Sequence, residues 1–257
     1  LSTRTNKNDQ NDAEGLAQIL RLGWYRPVHV KSYAAHRVRA MLGARAQLVG
    51  MVVRLSNQVR GILKVVGIVV VGARGASFGS RVEELVAGRA EVAEVIQPLL
   101  EAWRMLRQQV AGLDTTLRSQ ARVRDDCRLL MTVPGVGAIT ALAFASTVDD
   151  PARFRRSRDV GAHLGLTPRR YQSGETDSSG AVSRCGDPYV RTLLFEAATT
   201  LLSRVQRWSA PKAWAVRRAK RVGMNKARAA LARKLAVLPP TIWRSGEPFR
   251  WGTAATV

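Results

Sequence analysis

Cysteine is almost absent: the 257 residues hold only Cys127 and Cys185. Two thiols exclude a disulfide-stapled scaffold and fit a reducing compartment. Histidine is as scarce, and His29, His36 and His163 lie scattered, so a Ser–His–Asp hydrolase triad has no support. Long apolar runs are missing too. The longest, Val65 to Ala73, contains glycines and is half the length of a membrane span. No signal peptide is visible, and the chain opens on Leu1 rather than methionine. Acidic side chains are the remaining shortage: 19 Asp and Glu face 41 Lys and Arg, a formal net charge of +22. That imbalance makes a polyanion the expected partner, and nucleic acid is the commonest one inside cells. What is plentiful is apolar residues, at 46%. They exclude wholesale disorder, and the length suits one or two domains.

The charge divides the chain. Residues 1–80 carry 12 basic and 3 acidic side chains, residues 81–130 carry 8 of each, and residues 201–257 carry 13 basic and only Glu247 acidic. A neutral middle between basic ends reads as a spacer joining two phosphate-facing surfaces. The alternative is a set of Arg-rich helices that are merely solvated.

The pattern is mainly α-helical. Asn11 or Asp9 can cap a helix from Asp12 to about Leu22, and a long helical pattern runs from Ser32 to Lys64. Val65 to Gly79 reads as a Val- and Gly-rich loop, with one short strand at most. Ser80-Arg81-Val82-Glu83 has capping-box spacing and opens a charge-balanced helical stretch to about Arg128, with Pro98 as a kink or break. Apolar residues there recur every three, four and seven positions, as in a helical hairpin or coiled-coil spacer. Further on, Pro134-Gly135-Val136-Gly137 separates Leu129–Val133 from Ala138–Thr147, and a short helix starts near Ser157 and stops near Gly165. The stretch from Arg169 to Pro188 is polar and loop-like. Helices follow at Tyr189–Val205 and at Lys226–Leu238, the latter ending at Pro239-Pro240.

Three motifs can carry chemistry. In Lys7-Asn8-Asp9-Gln10-Asn11-Asp12-Ala13, two carboxylates three residues apart share a helix face and can share a divalent cation. Capping of the helix start explains the same aspartates without a metal. In the second, Gly135 and Gly137 allow backbone N–H groups to approach DNA phosphate, as in a helix–hairpin–helix, or simply form a turn. The third is Arg169-Arg170-Tyr171-Gln172-Ser173-Gly174. Its serine can attack phosphorus while guanidiniums stabilise the transition state, or it is an ordinary turn serine.

Taken in order, these segments resemble the bacterial insertion-sequence transposases of the IS-one-ten class, the bridge-RNA-guided recombinases. These pair a four-carboxylate, RuvC-like (RNase H-like) nuclease domain with a serine transposase domain. The segment Lys7 to Ala13 is similar to the one bearing that family's third and fourth acidic residues. Pro134 to Gly137, Arg153-Phe154, Gly165-Leu166-Thr167-Pro168, Ser173-Gly174, Gly180, Val182-Ser183-Arg184, Gly186, Val190-Arg191 and Ala197-Ala198 follow its serine-domain signature. Lys226-Ala227, Ala232 to Ala236 and Ile242-Trp243-Arg244 resemble its C-terminal helix and tail. Arg184 stands where lysine is usual, and no strands bearing the first two acidic residues precede Lys7. The resemblance therefore implies the C-terminal three-quarters of such an enzyme.

It further implies a helical remnant of the RuvC-like domain over residues 1–76, a coiled-coil-like helical spacer over 77–127, and a serine domain with a helix–hairpin–helix-like motif over 128–257. Asp9 and Asp12 would hold Mg²⁺, and Ser173, with Ser183 as second choice, would form a transient phosphoserine link. Gly135, Gly137, Arg169, Arg170, Arg184, Arg191, Lys226, Arg233 and Lys234 would meet nucleic acid. The implied setting is the bacterial cytoplasm at the nucleoid, with DNA, a structured guide RNA and further copies of the chain as partners. Two rival readings stay open: a non-catalytic nucleic-acid clamp, and a Mg²⁺-dependent junction nuclease whose serine is structural.

Overall fold

The computed structural model describes residues 8–25 and 27–251. They form two units, Leu1–Ser32 and Tyr33–Val257. Among the described residues the first holds one helix, α1 (Asp9–Arg21). Neither Asn11 nor Asp9 caps it. Asn8 does, from extended backbone, its side-chain oxygen accepting from the Asn11 amide at 2.7 Å. The helix therefore starts three residues earlier than the Asp12 expected from sequence, because an asparagine already stood where the first free amides could be satisfied. Lys7 lies outside the described residues.

The second unit is built on two long helices, α2 (Tyr33–Val65) and α4 (Ala90–Val123). They run antiparallel. Arg45 of α2 pairs with Asp114 of α4, and eleven residues further along α2 Ser56 meets Trp103, eleven residues back along α4. Eleven residues are close to three full turns, so the same faces stay in contact along the pair. α3 (Ser77–Val86) closes the far end, where Val59, Leu63, Phe78, Val82, Ile96, Leu100 and Trp103 form one core.

The segment between α2 and α3 contains no strand among the described residues, in keeping with a loop of one short strand at most. Two expectations change here, and the first is that Ser80 lies inside α3 rather than capping it. Burial of Phe78 and Gly79 against Trp103 extends the helix backwards over the apparent capping box. Pro98 does not interrupt α4, and the break comes earlier, at Ala87–Arg89. Pro98 is exposed. The carbonyl it leaves without an amide, that of Glu94, can therefore turn to water.

The rest of the unit surrounds α6 (Ala138–Val148), whose residues from Thr140 onward are all buried. A helix apolar on every side belongs at the centre. Around it lie α5 (Asp125–Leu130), α7 (Ser157–His163), α8 (Pro188–Ser203), α9 (Ala210–Val222) and α10 (Met224–Ser245), and the first turns of α2 join the same core through Val38 and Leu42. α10 passes straight through Pro239 and Pro240, where the sequence implied an end. Both prolines are buried on a helix that packs against α5, α7, α8 and α9. Burial outweighs the two hydrogen bonds lost at the carbonyls of Leu235 and Ala236. α9 carries so many cations that its apolar period is faint, and the sequence reading passed over it.

The polar stretch expected as a loop is instead a hairpin of β1 (Pro168–Ser173) and β2 (Thr176–Val182). No helix among the described residues is long and apolar enough to cross a membrane.

Candidate nucleic-acid interface

Gly174 and Glu175 form the hairpin's two-residue turn, with Gly174 at φ +55° supplying the left-handed conformation such turns need. Ser173 pairs with Thr176 directly beside it, and Tyr171 with Ser178. Cross-strand partners share a face, so these four side chains lie on one side of the ribbon. Gln172, Asp177, Arg170 and Ser179 lie on the other. The residues of both strands are exposed apart from the half-buried Val182, so Ser173 is open to an incoming chain.

The arginines expected around Ser173 are not gathered there. Arg170 is on the opposite face, forked onto Asp177 at 2.8 and 2.6 Å, and its hydrogen bonds hold that carboxyl below the usual range. Arg169 reaches back to the Ser183 carbonyl at 3.4 Å. Arg191 donates to the carbonyls of Leu164 and Gly186 at 3.2 and 2.9 Å, bracing the foot of the ribbon. Arg184 is exposed, with a left-handed φ of +57°.

That foot is tightly interlocked. The amides of Ser183 and Arg184 donate to the carbonyls of Thr167 and Gly165. A Cβ on Gly165 would lie 2.1 Å from the Cys185 carbonyl oxygen, and one on Gly186 would lie 2.3 Å from that of His163. Both glycines also have positive φ. The chain can cross itself here only because neither position carries a side chain. Ser183, the second candidate nucleophile, is half-buried in this knot, whereas Ser173 is displayed at the tip.

Three of the predicted cations do come together. Lys226, Arg233 and Lys234 of α10 line a groove of 680 Å³ whose opposite wall is Pro168 and Gly180–Val182 of the hairpin. Sequence reasoning missed the other two parts, Trp214 and Arg218 on α9. Lys234 Nζ sits 4.6 Å from the Trp214 ring centroid and Arg218 Cζ 5.7 Å from it, so the indole holds two cations at the groove without neutralising them. No acidic side chain lines the groove. The available signal was Ser209-Ala210-Pro211, an N-cap residue followed by proline in the first turn.

Gly135 and Gly137 precede α6. A Cβ on Gly135 would meet the Ala197 carbonyl oxygen at 2.4 Å, so this glycine lets α8 approach the turn. Gly137 is exposed at the α6 N-cap, its surroundings open.

Asp187 also escaped sequence reasoning, although Asp-Pro before an apolar period is a helix-start signature. It caps α8, accepting from the amides of Tyr189 and Val190 at 2.9 and 3.2 Å. Its other oxygen takes Arg39 of α2 at 2.7 Å, and the same guanidinium reaches Thr147 of α6 at 2.6 Å. Burial pushes the Asp187 carboxyl up, but Arg39 and the two amides more than reverse this and hold it below the ordinary range.

In the first unit, Asp9 is exposed and Asp12 half-buried, three residues apart on α1. Because Asn8 supplies the capping oxygen, neither carboxylate is needed for it. Among the described residues no group of three or more His, Cys, Asp or Glu could hold a metal. A pair can suffice for Mg²⁺, which keeps several waters and completes its shell with one or two carboxylates and substrate phosphates.

Residues 127–215 match the model of the transposase IS116/IS110/IS902 family, and residues 1–68 match a DEDD-type transposase model. The transposase for insertion sequence element IS1111A of Coxiella burnetii is 33% identical over 247 residues, covering 93% of this chain and 66% of the relative. A probable family 20 transposase of Pseudomonas aeruginosa is 32% identical, covering 76% and 60%. A putative transposase (y4pF/y4sB) of Sinorhizobium fredii is 30% identical, covering 95% and 64%. The chain thus spans 60 to 66% of the length of these three relatives.

Proposed function

The chain belongs to the IS116/IS110/IS902 family of transposases, and from that premise we propose that it is the greater part of a DNA transposase working through a serine nucleophile and a divalent-metal site. The observation that carries this reading is the acid-free cationic groove beside an exposed hairpin bearing Ser173. Lys226, Arg233, Lys234 and Arg218 meet the phosphates of a DNA strand and lay it along the ribbon. Backbone contacts of this kind position a duplex without reading its sequence.

At the tip, the Ser173 hydroxyl oxygen forms a bond to phosphorus while one ester oxygen of the phosphodiester departs. The serine proton leaves to solvent or to a base, and the departing oxygen takes up a proton. A later attack by a DNA hydroxyl reverses the bond changes and frees the serine. In-line displacement needs an accessible nucleophile, and Ser173 is more accessible than Ser183. The cations that offset charge on the non-bridging oxygens come from the groove, from Arg169 after release from the Ser183 carbonyl, or from a second copy of the chain. Asp9 and Asp12 fit Mg²⁺ as a two-carboxylate platform. Bound there, the ion would activate a hydroxyl and stabilise phosphoryl charge. Residues 1–76 contribute this acidic part, 77–127 the spacer and 128–257 the serine domain. A structured guide RNA and an oligomer complete the machine.

The test is fluorescence anisotropy with a labelled DNA duplex. Binding that neutralises six or more phosphates weakens by about 10³-fold between roughly 50 and 200 mM salt. Replacing Lys226 and Arg233 by glutamine makes the dependence shallower. Binding that ignores salt, or ignores these substitutions, removes the groove from the account.

A further inference from the structure

The spacer, residues 77–127 with α4, reads from sequence as neutral because residues 81–130 carry 8 basic and 8 acidic side chains, whereas α2 carries only basic ones. The fold upsets that balance locally. Where α3 lies against α2 and α4, a cleft of 310 Å³ brings together Arg60 of α2, Arg74 of the following loop and Arg107 of α4, with no carboxylate in its lining. These three come from two helices and a loop, and Glu83 of α3 is engaged by Arg104 at 2.5 Å.

Two of the guanidiniums are held by aromatic faces. Arg60 Cζ lies 4.5 Å from the Phe78 ring centroid and Arg107 Cζ 4.7 Å from that of Trp103. The rings pack on each other at 5.2 Å, and Trp103 Nε1 donates to Ser56 Oγ at 2.9 Å, which fixes the pair. Arg60 also donates to the Ala73 carbonyl at 2.7 Å, anchoring the loop that presents Arg74. Stacking orients a guanidinium but leaves its charge and most of its N–H donors available. Three like charges set around one cleft repel each other, and a bound anion turns that cost into attraction. The exposed Asn57 adds a polar group at the rim.

We propose that this cleft is a second phosphate-binding site, by which the α2–α4 pair grips a nucleic-acid backbone far along the sequence from the α9–α10 groove. The proposal rests on the nucleic-acid reading above only for the identity of the polyanion. The ligand chemistry is a backbone phosphodiester, which DNA or RNA can supply.

The experiment measures anisotropy of the full chain with a labelled DNA duplex and, separately, a labelled RNA stem-loop across a salt series. It compares wild type with Arg74→Gln/Arg107→Gln and with Lys226→Gln/Arg233→Gln. Loss of two duplex phosphate contacts makes the slope of log affinity against log salt shallower by about 1.8, so the fall between roughly 50 and 200 mM is about tenfold smaller. A change confined to DNA identifies the duplex as ligand, and one confined to RNA identifies the stem-loop. Arg74→Gln alone, at an exposed side chain, should give about half the change with an unaltered melting temperature, which separates binding from folding. If neither nucleic acid responds to the Arg74 and Arg107 substitutions while the Lys226 and Arg233 variant still weakens binding, the cleft proposal fails and the groove stands. If neither pair matters, both fail.

Discussion

Removing the Asp187 carboxylate separates two roles that one side chain performs. Asp187→Ala deletes the α8 cap and the partner of Arg39 together, whereas Asp187→Asn keeps a good capping oxygen and loses only the charge. A lost N-cap costs about 1 kcal/mol. The Arg39 pair is worth about 1 kcal/mol, at the upper end of the range for surface pairs: the Asp187 side chain is only 14% exposed, but that of Arg39 is 36% exposed and partly screened. Asp187→Ala should therefore lose roughly 2 kcal/mol and Asp187→Asn roughly 1, which for a chain of this size lowers the melting temperature by about 4–8 °C and 2–4 °C. A double-mutant cycle with Arg39→Met should recover the pair's share as coupling. The pH dependence has a definite sign. A carboxyl held below its ordinary range in the folded state adds stability that is complete above that range. The contribution is lost as pH falls through the lowered value, so the gap between wild type and Asp187→Asn should close at acid pH. Denaturant melts at several pH values would test this. Equal losses from the alanine and asparagine variants would refute the division into cap and pair, and a gap that widens in acid would refute the sign.

Further outcomes follow from single features. Gly165→Ala must place a Cβ 2.1 Å from the Cys185 carbonyl oxygen at a left-handed φ, whereas Gly174→Ala meets nothing within 4 Å. In chemical denaturation the first should cost roughly 3 kcal/mol or more and the second about 1–2. Equal costs would mean the crossing at the foot of the hairpin is looser than described. Cys127 is fully buried and its thiol is pushed up to about 12, chiefly by burial, while Cys185 is exposed. A disulfide reagent at neutral pH should therefore titrate one thiol in the native protein and two after denaturation, and two at once would contradict the packing around α5. Pro98→Ala should raise stability, by up to about 3 kcal/mol, since the ring is exposed and alanine returns an amide to the Glu94 carbonyl in a helix that already continues through the position. A large loss would mean the ring has a packing role.

The sequence was most readable where one local signal had no competitor. The apolar period from Ser32 to Lys64 became α2 almost residue for residue, and the buried run after Gly137 became α6. Readings failed where tertiary contacts overrule local chemistry. Pro239 and Pro240 say stop, yet burial carries α10 through them, and Ser80 imitates a cap inside a helix that Phe78 has already begun. α9 was invisible because its cations blur the apolar stripe, and Trp214 and Arg218 went unnoticed with it. Three of the groove's cations, Lys226, Arg233 and Lys234, were legible as a basic helix; that they face the hairpin across an acid-free gap was not, since the hairpin itself read as a loop. Asp187 and Arg39 are 148 residues apart. No local pattern links them.

Serine chemistry on DNA is the step on which the proposed function turns. It is measured most directly by incubating the protein with insertion-sequence DNA, Mg²⁺ and the proposed guide RNA, then quenching, digesting and examining it by mass spectrometry for a nucleotide joined to serine. An adduct on Ser173, absent from Ser173→Ala together with strand joining, is the expected result. An adduct on Ser183 instead, or undiminished recombination with no serine adduct at all, would contradict it.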